Sequence, residues 1–292
     1  MTAQAMIRGQ GPAGQVTTRF APSPTGRLHL GHAASAIRAH DLARAGGGRF
    51  LLRIEDIDGT RSRPEHVTAI LDDLDWLGLA WDGPVVFQSA RLEMYEGALA
   101  TLREQELVYP CFCTRADIAA ASLSAPHEAG AIYPGTCATL TPAERAARAG
   151  EPHCWRLHMA AAVRIAGPLH WRDEAAGEVR ADPLAAGDVI LARKDAPASY
   201  HLAVTVDDAA QGVTDVVRGV DLFEATHVHQ LLQALLELPT PAYHHHPLLT
   251  DSAGNRLAKR HGAPTLEAMR LAGESGAHLA AALRAGTLPQ GV

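Results

Sequence analysis

Lysine is almost absent from this chain of 292 residues, in which only two of the 26 basic side chains, Lys194 and Lys259, are lysines. No apolar run reaches the roughly 20 residues that a bilayer-spanning helix needs. The first 15 residues have no apolar centre of the kind found in secretory signals, which predicts a flexible extension. These absences argue against a membrane protein, and we expect a cytoplasmic monomer.

The chain has no excess of positive charge, since 32 acidic residues against 26 basic ones give a formal net charge of −6 at pH 7. An acidic chain that binds nucleic acid has to concentrate its positive charge locally or bind weakly. The bias from lysine to arginine could follow from the base composition of the genome, but that does not explain why Lys259 remains. With 47% hydrophobic and 20% charged residues, the chain has the composition of a globular protein with a sizeable core.

The periodicity of apolar residues predicts alternating strands and helices. A strand, a helix and a strand within the first forty structured residues form a βαβ unit, which implies a parallel sheet. Gly46 to Gly48 should end the first helix. We predict strands at residues 16–20, 49–54, 200–206 and 213–217, and helices at 30–43, 64–77, 90–106, 225–238 and 265–272.

The segment from Arg19 to His32 leads from the first strand into the first helix through a loop stiffened by two prolines. Free N–H groups and the positive end of the helix dipole at such a start favour an anion such as phosphate. Gly31 leaves room for a flat ring, and His29 and His32 could hydrogen-bond phosphate oxygens. His-x-Gly-His alone is a common pattern, but the whole string is specific.

This string resembles the first signature of the class I glutamyl-tRNA synthetases, and Arg256 to Arg260 resembles their second, lysine-containing signature. The resemblance implies an α/β, Rossmann-like class I aminoacyl-tRNA synthetase catalytic domain with a parallel sheet. Full-length members continue into a helical domain that reads the anticodon. Since only 32 residues follow Arg260, the chain is most similar to the truncated glutamyl-Q branch, without an anticodon-binding domain. The similarity continues at residues 53–58, 200–208 and 217–222.

The resemblance implies a ligase that uses ATP and Mg²⁺ to convert L-glutamate to glutamyl-adenylate. The glutamyl group would then pass to queuosine at the wobble position of tRNA(Asp), whose anticodon stem-loop would be the RNA partner. A small RNA contact agrees with the net negative charge. Three alternatives stay open: a glutamyl-tRNA synthetase fragment that charges a tRNA 3′ end, another nucleotidyltransferase of the superfamily, and an inactive binding or regulatory module.

The resemblance also implies a domain plan. We expect a flexible extension at residues 1–15, a catalytic domain in two halves at 16–108 and 191–250, an inserted module at 109–190, and the second signature with a short helical segment at 251–292.

By the same resemblance, the substrate amino acid is held by residues from several motifs. Arg19 and Arg218 would bind its carboxylates, because a guanidinium pairs with a carboxylate bidentately, and Glu55 would receive its ammonium group. The expected glutamate-binding residues are Arg19, Ala21, Ser23, Glu55, Tyr200 and Arg218. The expected catalytic residues are His29, His32 and Lys259, and the expected ATP-binding residues are these three and Gly31. Arg256 and Ala258 depart from the family's second signature.

Other interpretations of these polar residues stay open. Arg19, Glu55 and Arg218 could belong to a structural ion-pair network. Glu55, Asp56 and Asp58 could instead bind Mg²⁺, and the pair of acidic residues at 207–208 is equally ambiguous. The three consecutive histidines at 244–246 lie in a strand-like stretch, for which a structural or surface role is the better interpretation.

Four cysteines without a secretory signal make disulfides improbable, so they are either buried thiols or metal ligands. The inserted module resembles that of the glutamyl-Q enzymes, in which Cys-x-Cys is followed by Tyr and, four residues later, by Cys. This resemblance implies one structural zinc ion per chain. Its ligands would be Cys111, Cys113, Tyr133 and Cys137, with Cys154 and His127 as rivals for the fourth position.

Overall fold

The structure is a computed structural model that describes residues 14–114, 116–118, 132–250 and 264–288. The strands are β1 (Thr17–Phe20), β2 (Arg49–Ile54), β3 (Val86–Phe87), β4 (Val108–Cys111), β5 (Cys154–Leu157), β6 (His170–Asp173), β7 (Gly177–Arg180), β8 (Ile190–Ala192), β9 (Asp215–Gly219) and β10 (Ala242–His246). The helices are α1 (Leu30–Ala45), α2 (Pro64–Trp76), α3 (Leu92–Glu104), α4 (Pro142–Ala147), α5 (Met159–Ala166), α6 (Tyr200–Ala210), α7 (Ala225–Leu235), α8 (Leu266–Leu271) and α9 (Gly276–Arg284).

Two sheets of mainly parallel strands lie side by side and together form one layer. Strands β1, β2 and β3 pair in parallel, and β9, β10 and β6 do the same, with β7 antiparallel at the far edge. The Thr214 amide donates a 2.9 Å hydrogen bond to the Thr17 carbonyl, which brings β1 and β9 side by side. The carboxyl ends of these strands therefore open toward one edge of the sheet, where ligands of open α/β sheets bind.

Helix α1 connects β1 to β2 and covers the sheet. Its alanine-rich sequence favours a helix, and its buried face includes Leu30 and Ile37, each at most 2% exposed. Burying a side chain of this size contributes about 1.5–3 kcal/mol. The helix ends at Gly46, and Gly47 takes a positive φ of 61° that suits glycine.

A small antiparallel sheet of β4, β5 and β8 carries the cysteine-containing part of the chain. Cys111 on β4 lies opposite Cys154 on β5, and both are buried. Strands β6 and β7 lie between β5 and β8 in sequence, but they belong to the four-stranded sheet of β9 and β10.

Most of the predicted elements are confirmed. The strand at 49–54 has the predicted bounds, and the first helix begins at Leu30 as predicted. The strand predicted at 200–206 is wrong, because this segment is the first part of helix α6. All residues from Leu202 to Ala209 are buried, so the helix has no polar face to reveal its period, and its β-branched residues imitate a strand.

Candidate active site

A cavity of about 530 Å³ opens at the carboxyl ends of β1, β2 and β9. Residues that precede α1 form one wall, and the ends of β9 and β10 form the other. The cavity brings together every predicted substrate and nucleotide residue in the described part of the chain: Arg19, Ala21, Ser23, His29, Gly31, His32, Glu55, Tyr200 and Arg218.

The two histidines of the first motif cap the start of helix α1. The Nδ1 atom of His29 accepts a 3.1 Å hydrogen bond from the Gly31 amide, and Nδ1 of His32 accepts one of 3.2 Å from the His29 amide. Because both Nδ1 atoms are acceptors, each neutral ring carries its proton on Nε2. A Cβ atom at Gly31 would lie 3.0 Å from the His29 ring, so glycine allows this ring to fold back over the helix start.

The proline-rich loop before α1 is tied to the neighbouring strand and helix. The Glu55 amide donates to the Pro22 carbonyl at 3.0 Å, and the Arg63 amide donates to the Pro24 carbonyl at 3.1 Å. These bonds fix the wall that contains Ala21 and Ser23.

Arg19 belongs to a buried network of ion pairs at the base of the cavity. Its Nε atom lies 3.0 Å from Asp208 Oδ1, and Nη1 of Arg53 approaches the same oxygen at 2.8 Å. Although burial opposes ionisation, the two arginines hold the pKa of Asp208 below its ordinary value. Arg19 is therefore a member of a structural ion-pair network, and it also lines the cavity.

Glu55 faces the cavity, and among the described residues one cation lies within ion-pair distance of its carboxylate. Arg53 Nη2 lies 3.6 Å from Oε1, and the Glu55 side chain is 11% exposed. Burial raises the pKa of Glu55 to about 7, because the nearby arginines compensate only part of the lost hydration. The carboxylate can accept a further cationic partner.

Arg218 is a buried cation whose hydrogen-bond partners are uncharged. In the described part of the chain no carboxylate lies within ion-pair distance of its guanidinium, which is 5% exposed. Burial lowers the pKa of His245 to about 4 and that of His229 well below its usual range, so both rings are neutral. The guanidinium donates from Nε to His245 at 3.1 Å, from Nη1 to Tyr200 at 3.2 Å and His229 at 3.3 Å, and from Nη2 to Thr226 at 2.6 Å.

The acidic residues considered as an alternative magnesium site all have other partners in the described part of the chain, and Glu55 lies beside Arg53. Asp56 accepts from the backbone and hydroxyl of Ser89, and Asp58 pairs with Arg61. The two acidic residues at 207–208 also pair with arginines. Asp207 pairs with Arg91, and Asp208 pairs with Arg19 and Arg53. Among the described residues, the one group of three or more potential metal ligands consists of cysteines.

Three cysteines of the small antiparallel sheet could hold a metal ion. The sulfur atoms of Cys111, Cys113 and Cys137 all lie within 4.8 Å of one another. The Tyr133 hydroxyl lies 3.4 Å from the first sulfur and 3.7 Å from the second. Hydrogen bonding from the neighbouring Cys154 and Tyr133 side chains lowers the pKa of Cys111. A cluster of close thiols of which one ionises readily suits a thiophilic cation.

Three predicted residues belong neither to the lining of the cavity nor to the sulfur cluster as the structure describes them. Cys154 lies outside this sulfur cluster, with its thiol 3.5 Å from the Cys111 carbonyl. Lys259 and His127 lie outside the described residues. The residues on either side of the second signature do reach the cavity, since Leu249 lines it and Thr265 bridges to His29 in the manner of an antiparallel strand.

Several residues of the site were not predicted from the sequence. Thr226, His229 and His245 surround Arg218, and Asp173 binds the far side of the His245 ring. They come from β6, α7 and β10, so no local motif connects them. The structural role predicted for the three histidines does hold for His244, whose ring lies between Glu174 and Asp215.

No helix within the described ranges combines the length and the apolar character that a membrane span requires.

The parallel α/β layer, with a helix start and a cavity at its carboxyl edge, is the catalytic arrangement of class I tRNA synthetases. A family model described as "tRNA synthetases class I (E and Q), catalytic domain" matches residues 15–286, which confirms the predicted fold class. The glutamate tRNA ligase of Elizabethkingia meningosepticum, solved with its amino acid, superposes with a TM-score of 0.74 at 27% identity. The match covers 85% of this chain and 52% of that chain, so this chain spans about half of the ligase.

Similarity to curated proteins is closer. The glutamyl-Q tRNA(Asp) synthetase of Rhodobacter capsulatus is 52% identical over 277 residues, which are 90% of this chain and 97% of that protein. The protein of the same name from Symbiobacterium thermophilum is 48% identical, over 88% of this chain and 82% of its own length. The chain belongs to the glutamyl-Q tRNA(Asp) synthetase branch of the class I E and Q family.

Proposed function

We propose that this protein activates L-glutamate with ATP and transfers the glutamyl group to queuosine at the wobble position of tRNA(Asp). The observation that carries the proposal is Arg218, a buried guanidinium with neutral partners at the wall of the cavity. A buried cation is stabilised by a carboxylate more than by any neutral group. Relatives named for the same reaction support the choice of substrates.

The substrate glutamate would lie between the two arginines and Glu55. Its side-chain carboxylate would accept hydrogen bonds from Arg218 and from the Tyr200 hydroxyl, which itself already accepts from Arg218. Arg19 would bind a second carboxylate oxygen, and Glu55 would receive the ammonium group. Glutamine would leave Arg218 without a charged partner, a loss of about 1.5–3 kcal/mol for a charge-assisted hydrogen bond.

ATP would lie across the start of helix α1. The adenine would pack against Gly31, while the protons on Nε2 of His29 and His32 would hydrogen-bond phosphate oxygens as charge develops. Mg²⁺ bound with ATP would neutralise phosphate charge. Lys259 would stabilise the departing pyrophosphate, a role taken from the second signature and supported by the anchoring of Thr265 beside His29.

The reaction would then follow in two steps. A carboxylate oxygen of the substrate's α-carboxyl group attacks the α-phosphorus, the bond to the bridging oxygen breaks, and pyrophosphate leaves. Positioning and charge stabilisation are sufficient for this step, so no protein nucleophile is needed. In the second step a nucleophile on queuosine takes the glutamyl group, and AMP leaves.

The cysteine cluster would hold one structural zinc ion. Three thiols and the Tyr133 hydroxyl supply four donor atoms in a largely buried group, which agrees with the ligand number of structural zinc. Zinc would connect β4 with the segment that contains Cys137. The inserted module would span residues 109–190 between catalytic halves at 16–108 and 191–250, in a cytoplasmic monomer. Of this module, β6 and β7 return to the sheet of the second half, where β6 pairs with β10.

Two measurements test the proposal. Glutamate-dependent exchange of pyrophosphate into ATP, without tRNA, tests the first step and separates an enzyme from an inactive module. Acceptor mapping with labelled glutamate and separate tRNAs tests the second step. We expect label on tRNA(Asp) that carries queuosine and none on the same tRNA without it. Label confined to the 3′ end of tRNA(Glu) would replace this function with that of a glutamyl-tRNA synthetase.

A further inference from the structure

We propose that Asp173 and His245 are positioning residues that orient Arg218 for glutamate, with Asp173 fixing which ring nitrogen of His245 carries the proton. This inference rests on the proposed function, because it explains how the cation that would select glutamate is held. Neither residue lines the catalytic cavity, so neither touches the substrate.

The hydrogen bonds around His245 define its protonation. Arg218 donates from Nε to His245 Nε2 at 3.1 Å, so that nitrogen must be unprotonated. The Thr226 hydroxyl, which accepts from Arg218, lies 3.3 Å from the same nitrogen and has its own proton to donate. The ring proton therefore lies on Nδ1, where it donates to Asp173 Oδ2 at 2.8 Å.

This arrangement supports Arg218 without neutralising it. A carboxylate in direct contact would pair with the guanidinium and repel the carboxylate of a substrate. Placing the neutral ring of His245 between Asp173 and Arg218 keeps the orienting hydrogen bond while it moves the negative charge one ring away. On the second side Arg218 also has a neutral ring as its partner, since His229 accepts from it through Nδ1 and the other nitrogen of His229 lies 3.2 Å from His201.

Asp173 is itself held in place by the chain that follows β6. Its Oδ1 atom accepts from the amides of Ala175 at 3.0 Å and Ala176 at 2.9 Å, while Oδ2 also accepts from the His245 amide at 3.2 Å. Asparagine at this position can keep the turn bonds through its carbonyl oxygen but loses the bond from the His245 amide. Its NH₂ group would then face His245 and favour the ring form with a proton on Nε2, opposite the Nε–H of Arg218.

The first test is Asp173→Asn, measured in pyrophosphate exchange. We expect KM for glutamate to rise about ten- to hundredfold, the effect of one charge-assisted hydrogen bond, with KM for ATP and kcat at saturating glutamate within about threefold of wild type. Asp215→Asn is the matched control. Asp215 contacts the ring of His244, which is the neighbour of His245 on β10, and neither Asp215 nor His244 lines the catalytic cavity. It should leave KM for glutamate unchanged.

A second test separates positioning from a general loss of stability. The side-chain oxygen of glutamine at 245 can accept from Arg218 near the position of Nε2, whichever residue is present at 173. In the His245→Gln background, Asp173→Asn should therefore raise KM for glutamate by less than about threefold. An undiminished effect of Asp173→Asn in that background overturns the inference. If Asp173→Asn does not fold, His245→Gln is compared with His245→Asn, whose shorter side chain cannot reach Arg218. Equal KM values for glutamate in these two variants also overturn it.

The third measurement does not depend on activity. The ¹⁵N shifts of the imidazole nitrogens in the free protein should show His245 protonated on Nδ1, and protonated on Nε2 in Asp173→Asn. Wild-type protein that lacks glutamate-dependent exchange would refute the proposed function and leave this ring assignment testable. An active wild type whose His245 carries its proton on Nε2 would refute the positioning role alone.

Discussion

Acidification from about pH 8 to about pH 6 should weaken glutamate binding about tenfold through the titration of Glu55. The pKa of about 7 means that about nine-tenths of the Glu55 carboxylate is ionised at the higher pH and about one-tenth at the lower. Only the ionised form can pair with the ammonium group of the substrate. Because apparent affinity scales with the fraction of competent protein, the apparent Kd should rise by about the same factor of ten.

The assay is KM for glutamate in pyrophosphate exchange across this pH range, at saturating ATP and Mg²⁺. Glu55→Gln should bind glutamate more weakly at every pH and lose this pH dependence. Glu93→Gln, an exposed glutamate on helix α3, should keep the wild-type profile. A wild-type KM that stays flat between these pH values, or a Glu55→Gln variant that keeps the slope, would refute the reasoning.

The same group should make the free protein less stable at neutral and alkaline pH. Its pKa is raised from 4.5 to about 7, so the folded state binds the proton more tightly than the unfolded state. The resulting loss of stability is absent below pH 4.5, grows through this window, and reaches about 3 kcal/mol above pH 7. Glu55→Gln should therefore raise the melting temperature at pH 8 and have little effect at pH 4. Equal shifts at both pH values would contradict this assignment.

Three further predictions concern other parts of the site. Arg218→Lys should lower kcat/KM for glutamate about a hundredfold and leave KM for ATP nearly unchanged, since an ammonium cannot replace the planar fork; a comparable change in both KM values would contradict this. Cys137→Ala should lose zinc as measured by metal analysis, whereas Cys154→Ala should retain one ion per chain; undiminished zinc in the first variant would exclude the proposed ligands. Gly31→Ala should raise KM for ATP several-fold, because the new methyl group displaces the His29 ring, and an unchanged KM would exclude that contact.

Local chemistry explains why the segment from Arg19 to His32 could be predicted from the sequence to lead from a strand into a capped helix start. The strand, the proline-rich loop and the histidines are contiguous between Arg19 and His32, and the capping bonds join residues two or three positions apart. The conformation of such a segment depends mostly on its own residues. The turn-forming prolines and Gly31 therefore indicate the helix start directly in the sequence.

The partners of Arg218 could not be predicted in this way. His245 lies 27 residues from Arg218 and 72 from Asp173, and they meet because β6, β9 and β10 are neighbours in the sheet. Strand order is a long-range property that no single motif specifies. The sequence also misled at helix α6, where complete burial removes the amphipathic period by which a helix is recognised.

The two histidines that cap the start of helix α1 could also bind a ligand through their outer ring nitrogens. The ring nitrogen of each that faces the backbone closes the first helical turn, and the opposite nitrogen carries the only ring proton. A ligand that accepts this proton in a hydrogen bond selects the same ring orientation that the cap requires. Binding of such a ligand and ordering of the turn would consequently be coupled, so that each would promote the other to an equal extent.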